Sequence, residues 1–171
     1  MPPSQRHQCI STEPDWRRLT GGERALLHGV FGAALDPEPV RIHHRKWWMW
    51  QPAWVTMAPD GHLWFHPNCG IWSEDFSQTG PTLCGHFVHE MVHVWQHQQG
   101  INLRLKRPPL ARYRYLPLVP GKAFHRYGLE QQAEIVRDAF LLSRGYAMPG
   151  RPPLAAYEAL IPFWSGGQAN P

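Results

Sequence analysis

Cysteine is scarce in this chain: Cys9, Cys69 and Cys84 are the only three among 171 residues. So odd and sparse a set builds no disulfide framework. At most one bridge, such as Cys69–Cys84, is conceivable, and buried thiols are the better expectation, so a hydrophobic core must hold the fold. Long apolar runs are missing too. No window approaches 18 apolar residues, which excludes a membrane-spanning helix. The first residues, MPPSQRHQCISTEPDW, contain no apolar stretch of the signal-peptide kind. The expected location is therefore the cytoplasm, or outside it after export by a secretion system that needs no signal peptide. Charged residues make up only 18% of the chain, with no Lys/Arg block long enough to be a tail. A net charge of +4 then reads as solubility charge and argues against nucleic acid as the main partner.

The length suits one domain with a core of its own. Residues 1–19 are polar and read as a flexible arm, 20–164 as the domain, and 165–171 as a flexible tail. The 18 prolines and 15 glycines predict much loop, and nine tryptophans suit a groove whose wall is part apolar and part wet. After Thr20, the apolar residues Leu26, Leu27, Val30, Phe31 and Ala34 recur at helical spacing until Asp36-Pro37 stops the run. VRIH and the aromatic stretch WWMWQPAWVTM read as strands. Pro59-Asp60-Gly61 turns the chain back into HLWFH as partner strand. A helix is predicted from Pro81 to Gly100, a short hairpin over RYRYLP and GKAFHRY, a second helix over LEQQAEIVRDAFLLSRG, and a short last helix in PPLAAYEALIPFW. Short strands followed by helices make the fold class α+β, a compact single domain with a short mixed sheet packed against the helices.

HEMVH at 89–93 carries the chemistry. Two histidines at i and i+4 share one helix face, so their imidazoles can meet at a single zinc ion. Glu90 beside them is placed to take a proton from a zinc-activated water and pass it to the leaving amine. With 11 His and 8 Glu, chance gives about 0.03 matches to this motif, so coincidence is a poor explanation. A catalytic zinc needs a third protein ligand and one open position. His97 is a full turn beyond His93 and out of reach, so the ligand is sought on the next helix. Glu134 is preferred, because Asp138 one turn later is placed to hold the outer ring nitrogen of a ligand histidine. Glu130, one turn earlier, is the rival.

HExxH followed by Glu-xxx-Asp resembles the gluzincin metallopeptidases. FHPNCGIWSEDFS, HEMVHVWQHQ and YGLEQQAEIVRD also resemble small bacterial HExxH proteins related to Vgr and Rhs, and the metallopeptidase domain of contractile injection systems. The resemblance implies a zincin-like fold and a zinc metallopeptidase that cleaves peptide, protein or peptidoglycan. It also implies an edge strand, HLWFH, that pairs with the substrate backbone, and a His or Tyr that stabilises the oxyanion. For that last role His125 and Tyr127 are the expected residues, with Tyr113 and Tyr115 as further candidates. Two readings compete: a non-catalytic part of a secretion or injection assembly with a structural zinc, and a module that grips anionic polymers through the basic loop Arg104, Lys106, Arg107, Arg112 and Arg114.

Overall fold

The computed structural model describes residues 15–103 and 113–166. The order of elements is strand β1 (Trp16–Arg17), helix α1 (Gly21–Phe31), strands β2 (Ile42–His43) and β3 (Leu63–Trp64), and helices α2 (Pro81–Gln98), α3 (Leu129–Ser143) and α4 (Leu154–Glu158). β2 is the middle strand, antiparallel to β1 and parallel to β3, so the sheet is short and mixed. The α+β expectation agrees with this architecture.

Trp16–Arg17 falls where the sequence suggested an arm. It pairs with β2 because Arg17 has a buried partner. Both terminal guanidinium nitrogens donate to Glu23 at 2.8 Å. Glu23 is fully buried, closes the capping box of α1 with Thr20, and accepts from the Phe76 amide at 2.9 Å. One carboxylate thus ties β1, the start of α1 and the turn before α2 together, and its ionic partner offsets the desolvation of burial.

α2 runs through the core. Phe87, Val88, Met91, Val92 and Val94 are fully buried, and Phe87 stacks on Phe76, which stacks on Phe65. A helix buried on nearly all sides needs a close neighbour, and that neighbour is α3. Gln96 meets Leu129 and Gln132, while Gly85 meets Leu141, so the two helices run antiparallel. A Cβ at Gly85 would lie 3.3 Å from both Leu141 methyl carbons. Glycine costs helix stability at such a position, and here it lets the helices approach.

The aromatic hairpin does not form. Met57 makes one antiparallel bridge to Trp64, and the remainder of 47–57 is loop. Pro52 lacks a ladder donor, and Gln51 takes over the backbone groups a ladder would use. Its Oε1 accepts from the Trp47 amide at 2.7 Å, and its Nε2 donates to the carbonyls of Val55 and Trp64. Trp48, Met49, Trp50 and Trp54 are left exposed. The Met57 bridge also occupies the edge of β3 that a substrate strand was expected to use. The second hairpin is absent as well among the described residues. The 113–127 stretch is loop ending in a short 3-10 turn at Phe124–Arg126, and the Tyr127 hydroxyl accepts from the Val119 amide at 3.1 Å. Residues 104–112, which hold most of the basic loop, and 1–14 and 167–171 lie outside the described residues. Ser165, expected in the tail, donates to the carbonyls of His28 and Gly29. Cys69 and Cys84 are both free thiols, and burial pushes Cys84 up to about 11.

Candidate metal centre

His89 and His93 stand one turn apart on α2, and both are buried. Their Nε2 atoms converge on a single oxygen: Glu130 Oε2 lies 3.2 Å from His89 and 3.3 Å from His93. One ligand atom from each of the three residues lies within 4.8 Å of the others. Two imidazole nitrogens and one carboxylate oxygen are the donor set of a catalytic zinc, with a fourth position left to water or substrate. The residues present therefore fit a zinc ion.

The expected ligand Glu134 is displaced from that position by one helical turn. Its Oε1 lies 3.0 Å from His89 Nδ1, on the far side of the ring from the converging nitrogens. Arg137 also holds Glu134, at 2.6 Å. Glu134 thus stands where Asp138 was expected, against the Nδ1 edge of the His89 ring, which leaves Nε2 facing Glu130 and any ion that the three donors would hold. The matching support for His93 is Gln96, whose Oε1 accepts from Nδ1 at 2.8 Å. Gln96 is itself held by donating to the Leu129 carbonyl and Gln132 Oε1.

Asp138 touches neither imidazole. It is fully buried and accepts from the Tyr115 hydroxyl at 2.5 Å, from Arg151 Nε at 2.5 Å and from Arg137 at 3.0 Å. Tyr115 in turn shares a hydrogen bond with Tyr157 at 2.7 Å. This network fastens the 113–118 loop and α4 onto α3. Burial and the neighbouring carboxylate raise the Tyr115 phenol far above its ordinary range, so it stays a donor.

The centre opens into a cleft of about 760 Å³, lined among others by Trp54, Thr56, Ile71, His86, Glu90 and Tyr113. Glu90 is buried, and its Oε2 receives no hydrogen bond among the described residues. His125 and Tyr127 are not in this cleft. They line a separate groove of about 640 Å³ with Trp95 and Phe124, because the chain from 118 to 127 turns away from α2's histidine face. Tyr113 does reach the cleft, with its ring centroid 6.3 Å from that of His89.

Burial alone would lower the His89 imidazole, but hydrogen bonds to Glu130 and Glu134 outweigh it and push the group up to about 9. Zinc requires a neutral imidazole at Nε2. Between the ordinary value and about 9 the metal-free protein holds a proton there, which the ion must expel. Zinc binding at pH 7 is therefore expected to release about one proton, and affinity to rise roughly tenfold per pH unit until it levels near pH 9. Titration calorimetry in buffers of different ionisation enthalpy measures this directly. A buffer-independent enthalpy would count against it.

Fold and site together define a class: compact α+β domains that bury two imidazoles of one helix and a carboxylate of the next beside an open cleft. No family model matches the chain. It is 34% identical to the effector domain of Pseudomonas aeruginosa VgrG2b, with a TM-score of 0.69 over 84% of this chain and 82% of that one. The chain belongs to the VgrG2b effector-domain family. It is also 39% identical over 133 residues to the type VI secretion system spike protein VgrG2b of P. aeruginosa, across 73% of this chain but only 13% of that protein. Among the described residues, no helix is long and apolar enough to cross a membrane.

Proposed function

We propose that this chain is a zinc-dependent hydrolase of amide bonds, acting as the effector portion of a type VI secretion apparatus. The secretion assignment is supported by its relative, a spike protein of that system. The catalytic assignment is supported by one observation above all: three buried donors converge beside a cleft, and the neighbouring carboxylate has an oxygen without a hydrogen bond. A structural zinc would call for a fourth protein ligand, and the grouping among the described residues has three.

In this reading His89, His93 and Glu130 hold the ion, while Glu134 and Gln96 orient the two imidazoles. Bound there, zinc supplies a water that ionises near neutral pH and a Lewis acid for the substrate carbonyl. Glu90 accepts the proton of that water and delivers it to the nitrogen as the C–N bond breaks. The cleft receives the polymer, whether a protein or the peptide part of peptidoglycan.

The test is cleavage of unfolded protein and of cell-wall sacculi, read by mass spectrometry, with chelated and zinc-reloaded protein. Hydrolysis is expected to vanish on chelation and to return at one zinc per chain. A zinc-loaded protein that cleaves neither material, and whose X-ray absorption shows four protein ligands, would move the assignment to an accessory component with a structural zinc.

A further inference from the structure

Four of the eight large hydrophobic side chains that stand exposed among the described residues fall within seven positions: Trp48, Met49, Trp50 and Trp54. Such a composition suits a core or a strand. Here it forms two successive turns. The Gln51 amide donates to the Trp48 carbonyl and the Val55 amide to the Pro52 carbonyl, each at 3.1 Å. Met49-Trp50 is thus the tip of one turn and Ala53-Trp54 the tip of the other. Turn tips ordinarily carry Gly, Asn, Asp or Ser. Met49, Trp50 and Trp54 are instead 69%, 71% and 83% exposed, so most of each side chain projects into solvent.

The loop presents these residues in a fixed shape. At its base Trp47 packs on Trp64 of β3, with ring centroids 5.1 Å apart. Gln51 ties the backbone of Trp47, Val55 and Trp64 together, and Lys46 Nζ donates to the Met49 carbonyl at 3.4 Å. Trp48 and Trp50 meet edge to face at 6.0 Å. A clustered apolar patch of this kind marks a contact surface.

Charge selects the partner. Between Glu38 and Asp60 the chain has no carboxylate, while Arg41, Arg45 and Lys46 supply three cations. Arg45 and Lys46 adjoin the first turn and are both exposed, with Asp15 lying 3.5 Å from Arg45. Indoles beside Lys and Arg are the composition of the zone between water and hydrocarbon in a bilayer. There the rings sit among the headgroups and the cations meet anionic lipid. Interfaces between proteins are instead depleted in lysine.

We propose that the 45–54 loop is a docking surface for the face of an anionic lipid bilayer. Trp48, Met49 and Trp50 enter the headgroup region, and Arg45 and Lys46 meet the lipid charge. The contact is peripheral, and nothing crosses the membrane. Trp54 belongs both to this loop and to the cleft of the metal centre, so docking sets the mouth of that cleft at the bilayer surface. The inference stands apart from the hydrolase reading, because it uses none of the metal donors.

The experiment is flotation of the full, zinc-loaded chain with vesicles of phosphatidylcholine alone and of phosphatidylcholine mixed equally with phosphatidylglycerol. Wild type is expected to bind the mixed vesicles about tenfold more tightly than the neutral ones, and to lose most of that preference in high salt. The triple variant Trp48→Ser, Met49→Ser, Trp50→Ser should bind the mixed vesicles about 100-fold more weakly, and Lys46→Gln about fivefold more weakly. Zinc content and melting temperature should stay those of wild type, since the changed side chains are exposed. Tyr146→Ser, which removes an exposed aromatic outside the loop, should bind as wild type does. Lipids brominated close to the headgroup should quench wild-type tryptophan fluorescence and leave that of the triple variant unchanged. Equal affinity for neutral and mixed vesicles, or a triple variant that floats as wild type does, would overturn the proposal. Binding to cell-wall sacculi but not to vesicles would do the same and make the indoles a platform for sugar rings.

Discussion

Glu130→Ala is expected to purify with almost no zinc, whereas Glu134→Ala should retain it with an affinity weaker by about 10- to 100-fold. The two carboxylates sit one turn apart on α3 and both touch His89, yet at opposite edges of the ring. Glu130 Oε2 is shared between the two Nε2 atoms at 3.2 and 3.3 Å. Deleting it leaves two imidazoles and no anionic donor for a divalent cation, so the ligand set falls below the three a catalytic site requires. Glu134 meets His89 Nδ1 at 3.0 Å and affects the metal only by orienting the ring and raising its basicity. Metal content after dialysis against a weak chelator, followed by competition titration, separates the two. If Glu134→Ala loses the ion and Glu130→Ala keeps it, the assignment made from the converging nitrogens is wrong.

The slip of one turn between these two carboxylates shows how far the sequence carries. HEMVH specifies its own local geometry, because i and i+4 on a helix are neighbours whatever surrounds them. Pro81 at the first position of α2 and Thr20 with Glu23 around the start of α1 are likewise local signals, and those helices fall where they were expected. The third donor depends on the height at which α3 crosses α2, and that is set by packing: Gly85 against Leu141, and Gln96 against Leu129 and Gln132. Nothing in a list of residues states that height. Glu130, Glu134 and Asp138 are equivalent by helical spacing, and only the register distinguishes ligand, ring support and loop anchor. The Asp138 pattern drew attention to the right face of α3 and to the wrong turn of it. Tyr127 and His125 failed for a related reason, since the loop before α3 brings Tyr113 and Tyr115 towards the α2–α3 face and carries 118–127 away. The aromatic stretch 47–57 had strand composition, but a single buried glutamine, Gln51, satisfied the backbone groups that would have defined a ladder. His86 was visible in the sequence as one of four histidines on α2. Its partner Thr56, thirty positions away, was not.

Glu90→Gln is expected to bind zinc as wild type does and to hydrolyse its substrate about 10³-fold more slowly. The substitution preserves shape and removes the one feature the proposed chemistry needs, a carboxylate that can accept and return a proton. The environment sharpens the expectation. Glu90 is 4% exposed, its Oε2 takes no hydrogen bond among the described residues, and its Oε1 lies 4.0 Å from His86 Nε2. A buried carboxylate so poorly satisfied is a cost to folding, kept where function requires it. The amide should therefore melt higher than wild type when both are metal-free, by the equivalent of about 1 kcal/mol. Lower activity with higher stability and unchanged metal is a combination that a merely structural glutamate would not produce. Unchanged hydrolysis in Glu90→Gln would remove the general base from the mechanism, and loss of zinc in the same variant would make Glu90 a ligand instead.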